Sequence, residues 1–235
     1  MPGYANVLNY VGNTPPDNFF TPTTEQKFPM GYIFIGVDPY FGAGEFVYGK
    51  AVAAQITGEM VAPSSEAWVM TAMPSTAGLG KPILFAKQEM AINTFGWYQR
   101  SGMSPIAASA SVAADVAVGI GTAGKAGTNT AGKQLLGLVV RGASTFTLTK
   151  TATTNLNPGT IKVVRVSNTD GLFVGLTVSG TGIPASSEIT AIDPNGAFIT
   201  MSENATAAGT ITMTGTYTGY LLAYYQHPFT QGAIT

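Results

Sequence analysis

Two five-residue stretches, Thr145-Phe146-Thr147-Leu148-Thr149 and Thr210-Ile211-Thr212-Met213-Thr214, alternate threonine with an apolar side chain without exception. A period of two places every threonine on one face of an extended strand and every apolar residue on the other, which suits a half-buried strand and not a helix. Residues 145–218 hold 18 of the chain's 31 threonines. Between the two stretches run Ile161-Lys162-Val163-Val164-Arg165-Val166, Ser187-Glu188-Ile189-Thr190-Ala191-Ile192 and Ala197-Phe198-Ile199-Thr200-Met201. They are separated by Asn157-Pro158-Gly159, Gly182-Ile183-Pro184 and Asp193-Pro194-Asn195-Gly196, residues whose backbone preferences make turns. The spacing predicts an inserted Ig-like β-sandwich module of about six strands over 145–218, its first and last strands paired at the base.

The flanking sequence is also β-prone. Tyr32-Ile33-Phe34-Ile35, Phe46-Val47-Tyr48, Ala67-Trp68-Val69-Met70 and Ile83-Leu84-Phe85 are short apolar runs set off by turn residues. Short strands at this spacing predict a sandwich or barrel over 31–144. Tyr220-Leu221-Leu222-Ala223-Tyr224-Tyr225 reads as a buried strand outside the inserted module, so 219–235 completes the base. Residues 101–134 are rich in Ala, Gly, Ser and Thr and predict close backbone approach, turns and strand edges, with a short helix over 107–117 as the alternative. Residues 1–30 carry Pro2, Pro15, Pro16, Pro22 and Pro29 among aromatics that follow no period. They predict an extended N-terminal arm, a structureless tail being the other reading. Phe19, Phe20 and Phe28 are the candidate partner-contacting residues of that arm.

Composition excludes several classes of function. Eleven basic residues against 12 acidic ones, a net charge of −1, offer no footprint for a phosphate backbone, so nucleic acid is not an expected partner. No run of about 20 apolar residues could span a bilayer as a helix, and Met1-Pro2-Gly3-Tyr4 does not open a secretory signal, so no membrane association is expected. The chain has no cysteine, which removes disulfide scaffolds, thiol catalysis and cysteine-zinc sites. Only 10% of residues are charged, a low figure for a dispersed monomer, and it points to surface covered by a partner or by further copies of the chain.

Motifs that could carry chemistry are incomplete. Gly119 to Lys125 matches both G-x-G-x-x-G and G-x-x-x-x-G-K, and Gly127 to Lys133 repeats the latter. Ala126 and Gln134 stand where a magnesium-holding hydroxyl is needed, and no carboxylate occurs between Val116 and Thr169 to bind a ribose. Glycine turns between strands account for both. His227 is the single histidine, with no nucleophile elbow in the sequence and no second imidazole for a metal. The 12 carboxylates follow no paired or calcium-loop spacing. Trp97 and Tyr98 could stack on a sugar or a base, but a strand core is the simpler reading. Asn204-Ala205-Thr206 fits a glycosylation sequon, a chance match in a threonine-rich chain. No catalytic activity, cofactor or metal is expected.

Outside 145–218 the chain resembles the capsid cement, or decoration, proteins of tailed bacteriophages. The residues that carry the resemblance are Gly44-Glu45-Phe46-Val47-Tyr48-Gly49-Lys50-Ala51, Gly96-Trp97-Tyr98-Gln99 with Gly102, Val112-Ala113-Ala114-Asp115, Gly142-Ala143, and Gly219-Tyr220-Leu221-Leu222-Ala223 running to Pro228-Phe229. The family pattern has a short connection where this chain has 145–218. The resemblance implies a β-barrel or jelly-roll-like base domain over 31–144, on the outer capsid surface of the virion, that binds the major capsid protein lattice and stabilises the head, with the inserted module as an outward knob. It also implies a homo-oligomer, dimer or trimer, at a symmetry position. A tail-fibre or receptor-binding component of the virion is the alternative, although the long repetitive shaft usual in fibres is missing.

Overall fold

A computed structural model describes residues 10–12, 21–38, 41–64, 67–110, 112–142, 147–154, 162–167, 172–193, 198–216 and 219–232. Every regular element among them is a β-strand. The chain divides into two compact units, Met1–Ser144 with Gly219–Thr235, and Thr145–Thr218.

The first unit contains β1 (Tyr10–Gly12), β2 (Ile33–Asp38), β3 (Gly42–Ala51), β4 (Met60–Pro63), β5 (Val69–Ala72), β6 (Leu84–Ala86), β7 (Phe95–Ala107), β8 (Val118–Ile120), β9 (Ala126–Thr128) and β10 (Leu135–Gly142). The second contains β11 (Thr147–Thr154), β12 (Val163–Val166), β13 (Thr177–Gly180), β14 (Ile183–Ile192), β15 (Phe198–Met201) and β16 (Gly209–Thr216). The last strand, β17 (Tyr220–Thr230), returns to the first unit and lies between β7 and β10.

The main sheet of the first unit runs β1-β2-β3-β5-β4-β6-β7-β17-β10, and β3 also pairs with β7, so β3, β5, β4, β6 and β7 form a closed circuit of pairings. The length of β7 makes this possible. Its first half, from Phe95 to Ser101, pairs with β3, and from Ser101 to Ala107 it pairs with β17. Three buried clusters fill the unit. Val47, Met70, Leu84 and Tyr98 belong to one, Phe85, Ile106, Leu221 and Tyr225 to a second, and Phe34, Phe46, Tyr48 and Trp97 to a third. Trp97 and Tyr98 are wholly buried in these clusters, which leaves neither ring free as a stacking platform.

In place of a free arm, the described part of the N-terminal stretch is engaged with the base. β1 pairs in parallel with β2, and Thr23 forms a bridge to Phe95. The Phe28 ring lies 5.2 Å from Trp97, 5.3 Å from Tyr48 and 5.6 Å from Tyr32, centroid to centroid. The physical reason is the usual one for an aromatic beside an unfilled apolar face: burial removes its surface from water and ring edges meet ring faces. Phe19 and Phe20 lie outside the described residues.

The second unit is a closed barrel in the order β11-β12-β15-β14-β13-β16 rather than two facing sheets. Its first and last strands pair along their whole length, from Thr147↔Thr216 to Thr154↔Gly209. Closure rather than a sandwich follows from β16, which pairs with β11 on one side and β13 on the other and so leaves no sheet edge there. The interior takes Val164, Val166, Val178, Ile189, Ile199, Met201 and Met213, all buried. Thr149, Thr151 and Thr153 point outward opposite Thr214, Thr212 and Thr210, which realises the alternation seen in the sequence.

Candidate partner-binding face

Within the first unit, the register of β3, β7, β17 and β10 sets out one broad outer face. Residues directly opposite in an antiparallel pair share a face, and so do residues two apart along a strand. Along β17, Leu221, Ala223 and Tyr225 point into the core, while Leu222 and Tyr224 point out. Tyr224 pairs with Met103 of β7 on one side and with Val139 of β10 on the other. Met103, Tyr224 and Val139 therefore make an apolar row across three strands, with Tyr224 45% and Val139 40% exposed. On the same sheet, Ile35 and Val37 of β2 are exposed opposite Glu45 and Ala43 of β3.

Charge enters this face between the two apolar areas. Glu45 forms an ion pair with Arg100, Oε1 to Nε 2.5 Å, and its Oε2 lies 2.9 Å from His227 Nε2. His227 has φ of 44° in the left-handed region, in a stretch of β17 where the pairing with β10 slips between Leu136 and Leu138. A bulge of this kind re-aims a side chain, and here it sets the imidazole toward Glu45. At the β10 edge Arg141 and Asp115 pair at 3.1 Å, both exposed.

Two buried tyrosines, Tyr98 and Tyr225, lie beneath the strands of this face. The hydroxyls of Tyr225 and Ser104 are 2.6 Å apart, and Tyr98 donates to Gln55 at 2.7 Å. Burial pushes both phenols far above the usual tyrosine range, Glu59 adding to the shift of Tyr98 and Asp38 to that of Tyr225, while the Ser104 hydrogen bond opposes the latter.

The glycine motifs have a different role. Lys125 N–H donates to Thr122 C=O at 3.0 Å, and Lys133 N–H to Thr130 C=O at the same distance. Gly124 and Gly132 sit at φ of 71° and 74°. The repeated Thr-Ala-Gly-Lys sequence is thus a repeated four-residue turn with glycine at its third position, where a positive φ is needed. The amides that would cradle a phosphate donate inside the protein: Gly121 to Lys125 C=O, Thr122 to Ser109 Oγ and Gly124 to Met73 C=O. Among the described residues no group of three or more His, Asp or Glu side chains is placed to hold a metal ion, and no helix is long and apolar enough to cross a membrane.

Of the residues singled out in the sequence, Phe28 turns inward and His227 joins Glu45 on the outer face. Tyr224, Val139 and Met103 were not singled out. The signal for Tyr224 was present, since Tyr220-Leu221-Leu222-Ala223-Tyr224-Tyr225 has two alternating faces, but nothing local says that one of them meets solvent. No family model, curated protein or solved structure matches the chain.

Proposed function

We propose that the protein is a capsid cement protein of a tailed bacteriophage, which binds the outer surface of the major capsid protein lattice through the base and carries the inserted barrel as an outward knob. The observation that supports this most is where the family-like residues fall. Gly44–Ala51 lies in β3, Gly96–Gln99 in β7 and Tyr220–Ala223 in β17, three adjoining strands in which these mostly buried residues form the core beneath the exposed face. The row of Met103, Tyr224 and Val139 on that face supplies apolar contact, and the Glu45, Arg100 and His227 group supplies orientation. The role is structural: recognition repeated many times over a lattice, where modest contacts per copy act together. Copies meet one another as dimers or trimers at symmetry positions.

The test is co-sedimentation of purified protein with capsids that lack it, read beside the copy number on intact virions. Tyr224→Lys and Val139→Lys place charge on the proposed contact at exposed positions, so binding is expected to fall at least tenfold while the melting temperature stays within about 2 °C of the parent. Unchanged binding by both variants, or virion copies confined to the tail, overturns the proposal.

A further inference from the structure

Asp38 ends β2, and Lys87 follows β6 directly. Their side chains are 0% and 5% exposed, and Lys87 Nζ is in direct contact with Asp38 Oδ2. The Phe41 ring covers the amine, its centroid 5.0 Å from Nζ. The other carboxylate oxygen, Oδ1, accepts the Phe41 N–H at 3.3 Å. The two oxygens are thereby differentiated, one held by a backbone amide and the other against the amine.

Two full charges held out of water carry a desolvation penalty that can exceed their mutual attraction. An amide would keep the same two side chains joined with no charge to desolvate. We propose that Lys87 and Asp38 condense spontaneously into an intramolecular isopeptide bond, closing a covalent link between the end of β2 and the segment after β6. The proposal is independent of the capsid reading.

The atoms balance as follows. A proton passes from the Lys87 ammonium to Oδ2 of the Asp38 carboxylate, leaving a neutral amine beside a neutral carboxylic acid. The Nζ lone pair attacks Cγ, and the negative charge that develops on Oδ1 is held by the Phe41 N–H, the arrangement of a one-donor oxyanion site. The nitrogen then gives up a second proton to Oδ2, the Cγ–Oδ2 bond breaks, and one water leaves. The Nζ–Cγ amide forms with Oδ1 as its carbonyl oxygen, still facing the Phe41 amide. No oxidant, metal or external group enters. What the fold supplies is proximity: effective molarities for well-oriented groups reach roughly 10⁵–10⁸ M. The Phe41 ring shields the amine from the water that would otherwise keep it solvated as an ion.

Intact mass of the purified full-length chain under denaturing conditions decides the matter without any variant having to fold. The expected mass is that of the sequence less one water. Tryptic mapping is expected to yield a branched peptide joining the Asp38 and Lys87 segments, with no cleavage after Lys87. Lys87→Met and Asp38→Ala each return the full sequence mass. A parent chain at full sequence mass overturns the proposal, and so does a water loss that maps elsewhere with no branched peptide.

Discussion

Removing the Phe28 ring tests whether the stretch before β2 belongs to the base or is held ready for a partner. The ring touches Tyr32, Tyr48 and Trp97, and next to it Lys27 N–H donates to the Tyr48 hydroxyl at 3.0 Å. A fully buried Phe→Ala change costs about 3–5 kcal/mol. Phe28 is only partly buried, which scales the loss to roughly 2–3 kcal/mol, the lost ring contacts included. For a unit of this size each kcal/mol moves the midpoint by about 2–4 °C, so Phe28→Ala should melt about 4–12 °C below the parent. Tryptophan fluorescence is the assay of choice. Both tryptophans, Trp68 and Trp97, lie in the base, and the barrel has none, so the signal follows one unit alone. Phe28→Leu keeps most of the apolar volume and should recover more than half of the loss. A Phe28→Ala midpoint within about 1 °C of the parent would refute the reasoning, because it would mean the ring contributes nothing inside its own unit.

Two further outcomes follow from the base. Burial raises the Glu59 carboxyl above its ordinary value, against the opposing Ile56 amide and Lys125 charge, so the folded chain takes up this proton at higher pH than the unfolded chain does. Its contribution to stability is therefore full below the unfolded value and is lost as pH rises through the folded one. Glu59→Gln should raise the melting temperature at pH 7, by an amount that shrinks to nothing as pH falls below about 4.5; a gain that is constant with pH would contradict this. Replacing Thr145–Thr218 by a short Gly-Ser linker between Ser144 and Gly219 should leave the tryptophan-detected transition of the base unchanged, since β10 and β17 already pair as far as Gly142↔Leu222. A base that fails to fold after the excision would place the unit boundary elsewhere.

How much of this could be read in the sequence depended on the range of the interaction involved. The Thr-x-Thr stretches announced their strands because a period of two is local; that the first and last strands pair was expected, but the register that sets Thr149 opposite Thr214 comes from the structure. Barrel closure was not legible. Whether β13 pairs with β16 or packs across from it depends on strand twist and register, which no short pattern encodes. The same limit hid the double use of β7, whose two halves pair with different strands around a bulge between Gln99 and Ser101. Phe28 looked like a residue for a partner because two of the rings that receive it, Tyr48 and Trp97, come later in the chain and nothing around Phe28 points to them. Asp38 and Lys87 carried no signal at all: two ordinary charged residues, 49 positions apart, acquire meaning only when β2 and β6 bring them together in the dark of the core.

The place of β17 has a consequence for how the molecule is made. β7 and β10, the two strands it lies between, leave the ribosome before the barrel, and β17 leaves after it. Throughout synthesis of the barrel the base is a sheet with a vacant lane, its two borders carrying unsatisfied backbone donors and acceptors that could template another chain. The barrel, whose strands are all consecutive in sequence, can complete itself during that interval. Paired β11 and β16 then bring the emerging end of the chain back beside its point of departure, which turns a long search for the lane into a short one. Newly made copies stalled before Gly219 are accordingly the species most exposed to mispairing, and the speed of the barrel's own folding sets how long that exposure lasts.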